Sequence, residues 1–240
     1  MKSSRPVALI TGASRGLGAF LATELSRDGY AVVIHYRSGR SRAVSLVQTI
    51  RREGGLAEAL GADLARPAQV ESLFRKIRQK FGRLDVLINN AGTYQPVPLL
   101  SSRASDWQQG LESTATATFL CTQVALSLFP KSGGRIVNLG DSACERLTAR
   151  KMAPGYHVGK VGVLLLTRSF AAQLAPRRVT VNCVSPGYLE NSIDLPPPRF
   201  LPGGRAVTFG EIYSAIRYLL SPEADSVTGA NLVLSRGWNL

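Results

Sequence analysis

The sequence predicts an α/β fold: a doubly wound parallel sheet with helices on both faces, in one domain over residues 1–240. Three observations predict it. Short β-rich runs alternate with segments whose apolar residues recur at helical spacing, almost from end to end. A glycine-rich stretch, TGASRGLG, joins the first such run to the first helical segment. No linker, repeat or low-complexity stretch divides the 240 residues, a length ordinary for one α/β domain.

The strand candidates are VALI (7–10), AVVIHY (31–36), LAEAL (56–60), VLI (86–88), IVNL (136–139), VTVNCV (179–184) and LVL (232–234). Between them, segments such as 17–28, 67–81 and 158–175 carry apolar residues at helical spacing. One composition break stands out, SIDLPPPRFLPGG (192–204). Its proline cluster cannot be helix interior and reads as a rigid loop or short lid.

Hydrophobic content of 45% with 19% charged residues describes a globular chain. No apolar run approaches the length of a membrane span, and MKSSRPVALI goes straight into a strand, which leaves no room for a signal peptide. A cytoplasmic protein without a membrane partner is therefore expected. Cys121, Cys144 and Cys183 have no metal-ligand or redox spacing and read as free thiols. The net charge of +13 raises nucleic acid as a partner. Yet Arg27, Arg51, Arg52, Arg75, Lys76 and Arg78 are scattered over helices with no basic run or interleaved aromatics, so no nucleic-acid partner is expected. An anionic cofactor or substrate accounts for part of the charge.

In TGASRGLG (11–18), Gly12, Gly16 and Gly18 allow the backbone to bend and approach a pyrophosphate, and the helix starting near Leu17 offers its positive N-terminus. The strand before it and the helix after it are the context that gives such a run meaning. This motif, INNAG at 88–92 and YxxxK at 156–160 come in an order that resembles the short-chain dehydrogenase/reductase family. The resemblance extends to VTGANLVLSRGW (227–238) and so covers essentially the whole chain.

The resemblance implies a Rossmann-like fold and a nicotinamide cofactor, with no metal. It places Gly12, Ser14, Arg15, Gly16 and Leu17 at the pyrophosphate, and Tyr36, Arg37 and Ser38 at the adenosine ribose. Asp63 and Leu64 fall beside the adenine, and Asn89, Asn90, Ala91 and Gly92 beside the ribose. Pro186, Gly187 and Leu189 fall at the nicotinamide, with Asn191 or Ser192 at the position of the family's carboxamide-binding threonine. The second strand ends HYRS (35–38), without the acid that holds a free 2′-hydroxyl. Arg37, with Arg15 opposite, offers guanidinium forks suited to a 2′-phosphate, so NADP(H) is the expected cofactor.

A tyrosine has an unperturbed pKa of about 10, and a lysine cation one helical turn away favours its phenolate. Tyr156 is accordingly the expected proton donor and Lys160 its activator and ribose contact. Two neighbours depart from the family pattern. Strand-end alignment puts Asp141 where a serine usually stands, with Ser142 next; the 15 positions from Asp141 to Tyr156 leave room for a shift that uses Ser142. Thr114 falls where an asparagine usually supports a proton-relay water.

An ionised aspartate only accepts hydrogen bonds, so it opposes a ketone oxyanion and suits a substrate with a donor edge. Pteridine reductases, a branch of the family, resemble this chain in carrying Asp–Tyr–Lys and an aromatic ring at the position of Tyr94, though Gly16 stands where they have arginine. Three readings stay open. The leading one is an NADP(H)-dependent reductase of a pterin-like C=N bond. An alternative is a carbonyl reductase of the 3-oxoacyl-[acyl-carrier-protein] type, with Ser142 in the serine role and a basic surface receiving the carrier. The third is a cofactor-binding sensor or scaffold with impaired catalysis. The face of Ala115, Phe119, Ala125 and Leu164–Leu166 is compatible with the homotetramer usual in the family.

Overall fold

In the computed structural model, which describes residues 4–146 and 148–238, the chain alternates strand and helix. Residues 1–3, 147 and 239–240 of the expected domain lie outside the described residues. The order is β1 (Val7–Ile10), α1 (Gly16–Arg27), β2 (Ala31–Tyr36), α2 (Arg40–Arg52), β3 (Leu56–Gly61), α3 (Pro67–Phe81) and β4 (Val86–Asn89). It continues with α4 (Ala104–Leu111), α5 (Ala117–Ala125), β5 (Gly134–Leu139), α6 (Pro154–Leu174), β6 (Val179–Pro186), α7 (Phe209–Leu220) and β7 (Asn231–Leu234). All pairings are parallel, in the order β3-β2-β1-β4-β5-β6-β7. The winding reverses at β1, which lies between β2 and β4, and ligands of such sheets bind outside the strand ends at that reversal.

Helices cover both faces, which is why the central strands are apolar runs rather than alternating ones. On one face Leu73, Phe74 and Ile77 of α3, Cys121 of α5 and Ala171 of α6 pack on Leu9, Val33, Leu87 and Val181. On the other, Leu21 and Leu25 of α1, Ile50 of α2 and Ile212 and Ile216 of α7 pack on Ile10, Ile34 and Ile88. Local chemistry sets the helix ends. Pro67 opens α3 where its missing N–H costs nothing, and Gly82 closes it in the left-handed region at φ 79°. Thr208 and Glu211 form a reciprocal capping box on α7.

The strands match the sequence expectation to within two residues at either end. Three features differ. α6 begins at Pro154, four residues before the expected 158, because proline is accommodated in a first helical turn. The proline-rich segment contains two short 3₁₀ turns, Pro198–Phe200 and Pro202–Gly204. And Pro154–Arg177 is, by length and composition, long and apolar enough to cross a membrane, contrary to the expectation that no run approaches a span. Its apolarity has another cause. Val163, Leu164, Thr167, Ala171 and Leu174 are buried against the sheet, as in any core helix.

α4 runs into α5 through a π turn over Glu112–Thr116, and α6 lies across that run at close range. The close approach depends on glycine. A Cβ at Gly155 would press into the Trp107 carbonyl, one at Gly110 into the Tyr156 amide, and one at Gly159 into the Thr114 hydroxyl. This crossing fixes the first two turns of α6, which carry Tyr156 and Lys160. Gly155→Ala should therefore destabilise the protein by ~1–3 kcal/mol, the usual cost of overpacking a rigid contact, measured by urea unfolding. An unchanged unfolding midpoint would mean that the helices do not meet at this distance.

Candidate active site

The C-terminal ends of β1, β2, β4, β5 and β6 open into one cleft of about 830 Å³. Gly12 turns the chain out of β1 at φ +64°, and a Cβ there would lie 3.0 Å from the Ala91 Cα. The loop after β1 thus lies directly on the loop after β4. The Thr11 hydroxyl accepts from the amides of Asn90 and Ala91, each at 2.9 Å, and the Asn90 side chain donates to the Thr11 carbonyl at 2.8 Å. α1 follows with no side-chain cap and no acid in its first turn, which leaves its first N–H groups directed at the cleft for an anion.

Arg15 and Arg37 line this end, and neither has an ion-pair partner among the described residues. Asp63 sits nearby, with one carboxylate oxygen accepting from the Ala65 amide at 3.0 Å. Ser14, Gly16, Leu17, Tyr36, Ser38, Leu64, Asn90, Ala91, Gly92, Pro186, Gly187 and Leu189 line the same cleft. Asn89 does not. Its amide is buried and donates to Asn138 Oδ1 at 2.8 Å and Thr122 Oγ1 at 3.2 Å, because alternate residues of β4 face opposite sides of the sheet. Asn191 lies against Gly16, whereas the Ser192 hydroxyl accepts from the Leu189 amide at 2.9 Å.

At the other end, Tyr156 faces the cleft from the first turn of α6. Lys160 follows one turn later, buried behind the wall rather than lining it. Its ammonium donates to the Leu139 carbonyl at 2.5 Å and lies 5.5 Å from the centre of the Tyr156 ring. The expected lowering of the tyrosine pKa by this lysine is not what the arrangement produces. Burial pushes the Tyr156 phenol well up, and the Asp141 charge adds to the rise. Burial likewise pushes the Lys160 amine down, against the opposing effect of Cys144, Cys183 and Asp141. For Tyr156, both effects favour the protonated phenol.

Asp141 and Ser142 both line the cleft at the end of β5. One carboxylate oxygen of Asp141 accepts from the Ala143 amide at 2.9 Å. Its charge raises the pKa of Tyr94, Cys144, Tyr156 and Tyr188, so it stands at the centre of this wall. Ser142 is buried, with its amide donating to the Pro186 carbonyl at 2.9 Å. Thr114 is also buried and does not line the cleft; its hydroxyl donates to the Gly110 carbonyl of its own helix at 2.6 Å. The donor expected to help a relay water is spent in the π turn.

Tyr94 leans edge-on against Tyr156, ring centres 5.2 Å apart, and its hydroxyl donates to Asp194 at 3.1 Å. Burial and the Asp194 charge push its pKa up to about 12. Asp194 comes from the proline-rich segment, and Arg150, His157, Tyr188 and Trp238 complete the wall. Sequence reasoning singled out none of these five. Only His157 carried a signal, as the neighbour of Tyr156; the others come from loops that folding brings together. The expected oligomer face also divides, since Ala125 and Leu164 are buried in the core while Phe119 and Leu165 stay exposed.

Comparison with known proteins agrees with this geometry. Residues 12–239 match the family described as Enoyl-(Acyl carrier protein) reductase. A 3-oxoacyl-[acyl-carrier-protein] reductase of Synechocystis sp. is 36% identical over 238 residues, 96% of each chain. The chain belongs to the short-chain dehydrogenase/reductase family. Among solved structures of that family's fold, a Serratia marcescens short-chain dehydrogenase/reductase variant superposes with a TM-score of 0.90 at 30% identity, over 98% of both chains. A blue fluorescent protein from a metagenomic library, solved in complex with NADPH, gives 0.90 at 31% identity over 98% of both chains. The protein is an oxidoreductase of this family.

Tyr156→Phe removes the phenolic O–H and keeps the ring; turnover is expected to fall at least ~10²-fold, the scale of general acid catalysis, with the melting temperature retained. Lys160→Ala should lower both turnover and cofactor affinity. Full activity of Tyr156→Phe in an NADPH-oxidation assay would reassign the acid.

Proposed function

We propose that this protein is an NADP(H)-dependent reductase of 3-oxoacyl thioesters, acting on a carrier-bound or smaller carbonyl substrate. The observation that carries this reading is the full-length similarity to the 3-oxoacyl-[acyl-carrier-protein] reductase of Synechocystis sp., in a chain that keeps tyrosine and lysine one helical turn apart. NADP(H) rather than NAD(H) is supported by two guanidinium groups without ion-pair partners among the described residues, Arg15 and Arg37, at the end of a cleft whose second strand supplies no acid. The NADPH in the metagenomic neighbour points the same way. The glycine cradle, the uncapped start of α1 and these arginines fit such a dinucleotide.

When bound, the nicotinamide supplies a hydride to the substrate carbon. The chain's own residues handle the proton. Tyr156 donates its phenolic proton to the oxygen that gains charge. Lys160, anchored on the Leu139 carbonyl, keeps a positive charge behind the ring as that proton leaves. Ser142, which lines the same cleft as Tyr156, supplies a hydroxyl to steady the oxygen. The basic surplus of the chain suits an acidic carrier protein, and exposed Phe119 and Leu165 suit assembly into a homotetramer, both in a cytoplasmic setting.

One observation favours a second reading. The Asp141 carboxylate acts on Tyr156 from the same wall as Ser142, and the Tyr94 ring stands edge-on to Tyr156. That pair suits a ring with an N–H edge, as in reduction of a pterin-like C=N bond.

The cofactor assignment predicts tighter binding of NADPH than of NADH, with Arg37→Asp erasing or reversing the preference. Equal affinities in the unsubstituted protein, from cofactor fluorescence titration at fixed salt, would reject it. The substrate assignment predicts that Ser142→Ala cripples reduction of a 3-oxoacyl thioester while Asp141→Ser leaves it unharmed or improved. On dihydrobiopterin the pattern inverts if the second reading holds. Asp141→Ser would then cost about 10- to 150-fold in kcat/KM, from loss of a charge-assisted hydrogen bond of ~1.5–3 kcal/mol.

A further inference from the structure

His35 is a buried titratable group that neither the acid–base pair nor the two arginines use. It lies near the end of β2 with 2% of its surface exposed, on the inner side of the cofactor end of the cleft. Its Nδ1 lies 3.0 Å from the Gly12 amide, and that N–H can only donate, so Nδ1 must carry a lone pair. Its Nε2 lies 3.0 Å from the Ala62 carbonyl, which can only accept, so Nε2 must carry the proton. The two partners leave a single neutral tautomer. The His35 carbonyl also accepts from the Ala13 amide at 2.8 Å. One residue thus holds two successive amides of the glycine loop from beneath, and its ring ties that loop to the end of β3.

We propose that His35 is a positioning residue for the dinucleotide: its imidazole orients the Gly12 peptide and so sets the shape of the loop that receives the pyrophosphate. The inference rests on the NADP(H) reading above. Gly12 has a left-handed backbone, and without an acceptor beneath it the peptide would be free to rotate its N–H elsewhere. With the amides of Gly12 and Ala13 turned down to His35, the later amides of the loop and the first turn of α1 remain for the phosphates. Burial holds the imidazole neutral, lowering its pKa to about 4, against the opposing pull of the Ala62 carbonyl and the Asp63 charge. A protonated ring would present an N–H to the Gly12 N–H and lose that bond.

The side chains that replace His35 separate shape from packing. In His35→Asn the amide oxygen can stand where Nδ1 stood and still accept from Gly12, but nothing reaches Ala62. In His35→Gln the amide stands near the Nε2 position and Gly12 is left unpaired. We expect the Kd for NADPH to rise about 10-fold in His35→Gln and to stay within about 3-fold in His35→Asn, with kcat at saturating NADPH changing less than Kd, since an unpaired buried donor is costly to the loop alone. Should either variant fail to fold, long-range ¹H–¹⁵N spectra of the unsubstituted, cofactor-free protein decide the point. They should show His35 as the neutral Nε2–H tautomer at about pH 5.5, below the ordinary histidine pKa. An Nδ1–H or protonated ring, or NADPH binding unchanged in His35→Gln, or equal weakening in both variants, would overturn the inference while the cofactor reading stands. An unsubstituted protein that binds no NADPH would overturn both.

Discussion

The pairing of β1 with β2 on one side and β4 on the other is the constraint on which the rest of the molecule depends. Parallel strands need crossovers, and reversing the direction of the crossovers at β1 forces the loops after β1 and β4 to part above the sheet. The loops then have to be joined again, and Thr11 does it. Its amide donates to Ile88 at 3.0 Å, and its hydroxyl takes the amides of Asn90 and Ala91. Gly12 can lie on Ala91 only because that join exists and because it lacks a side chain. The cleft is the space these two loops leave.

Its two ends have opposite electrostatic character. At the cofactor end two exposed arginines face the single carboxylate of Asp63. At the substrate end Asp141 and Asp194 stand among Tyr94, Tyr156 and Tyr188, with Arg150 the cation on that wall. Arg15, Arg37 and Asp194 are exposed, whereas Asp141 is half-buried, where a charge counts for more than it would in water. Burial raises the pKa of Tyr94, Tyr156 and Tyr188, and the Asp141 charge adds to each rise.

Similarity over the whole chain and the detail of the wall carry different information. The 36% identity with a 3-oxoacyl-[acyl-carrier-protein] reductase runs the length of the chain and shows the family, and one fold of this kind hosts many substrates. Discrimination between substrates rests on the few side chains that touch them, and there Asp141 and Ser142 stand next to each other on the wall after β5.

The sequence by itself determined the alternating architecture, the strands to within two residues, the glycine cradle, the Tyr156–Lys160 pair and the family, because each is written in local spacing that the backbone must obey. What only the tertiary structure decided depends on atoms far apart in the chain. Asn89 is sealed inside the sheet while Asn90 faces the cleft, by the alternation of a strand whose two sides the sequence does not label. Asp194 reaches Tyr94 across 100 positions, and Trp238 reaches Tyr188 from the end of β7. The long apolar run of α6 is a core helix because a sheet lies beneath it. The neutrality of His35 follows from its burial between Gly12 and Ala62, two partners that no spacing rule connects to it.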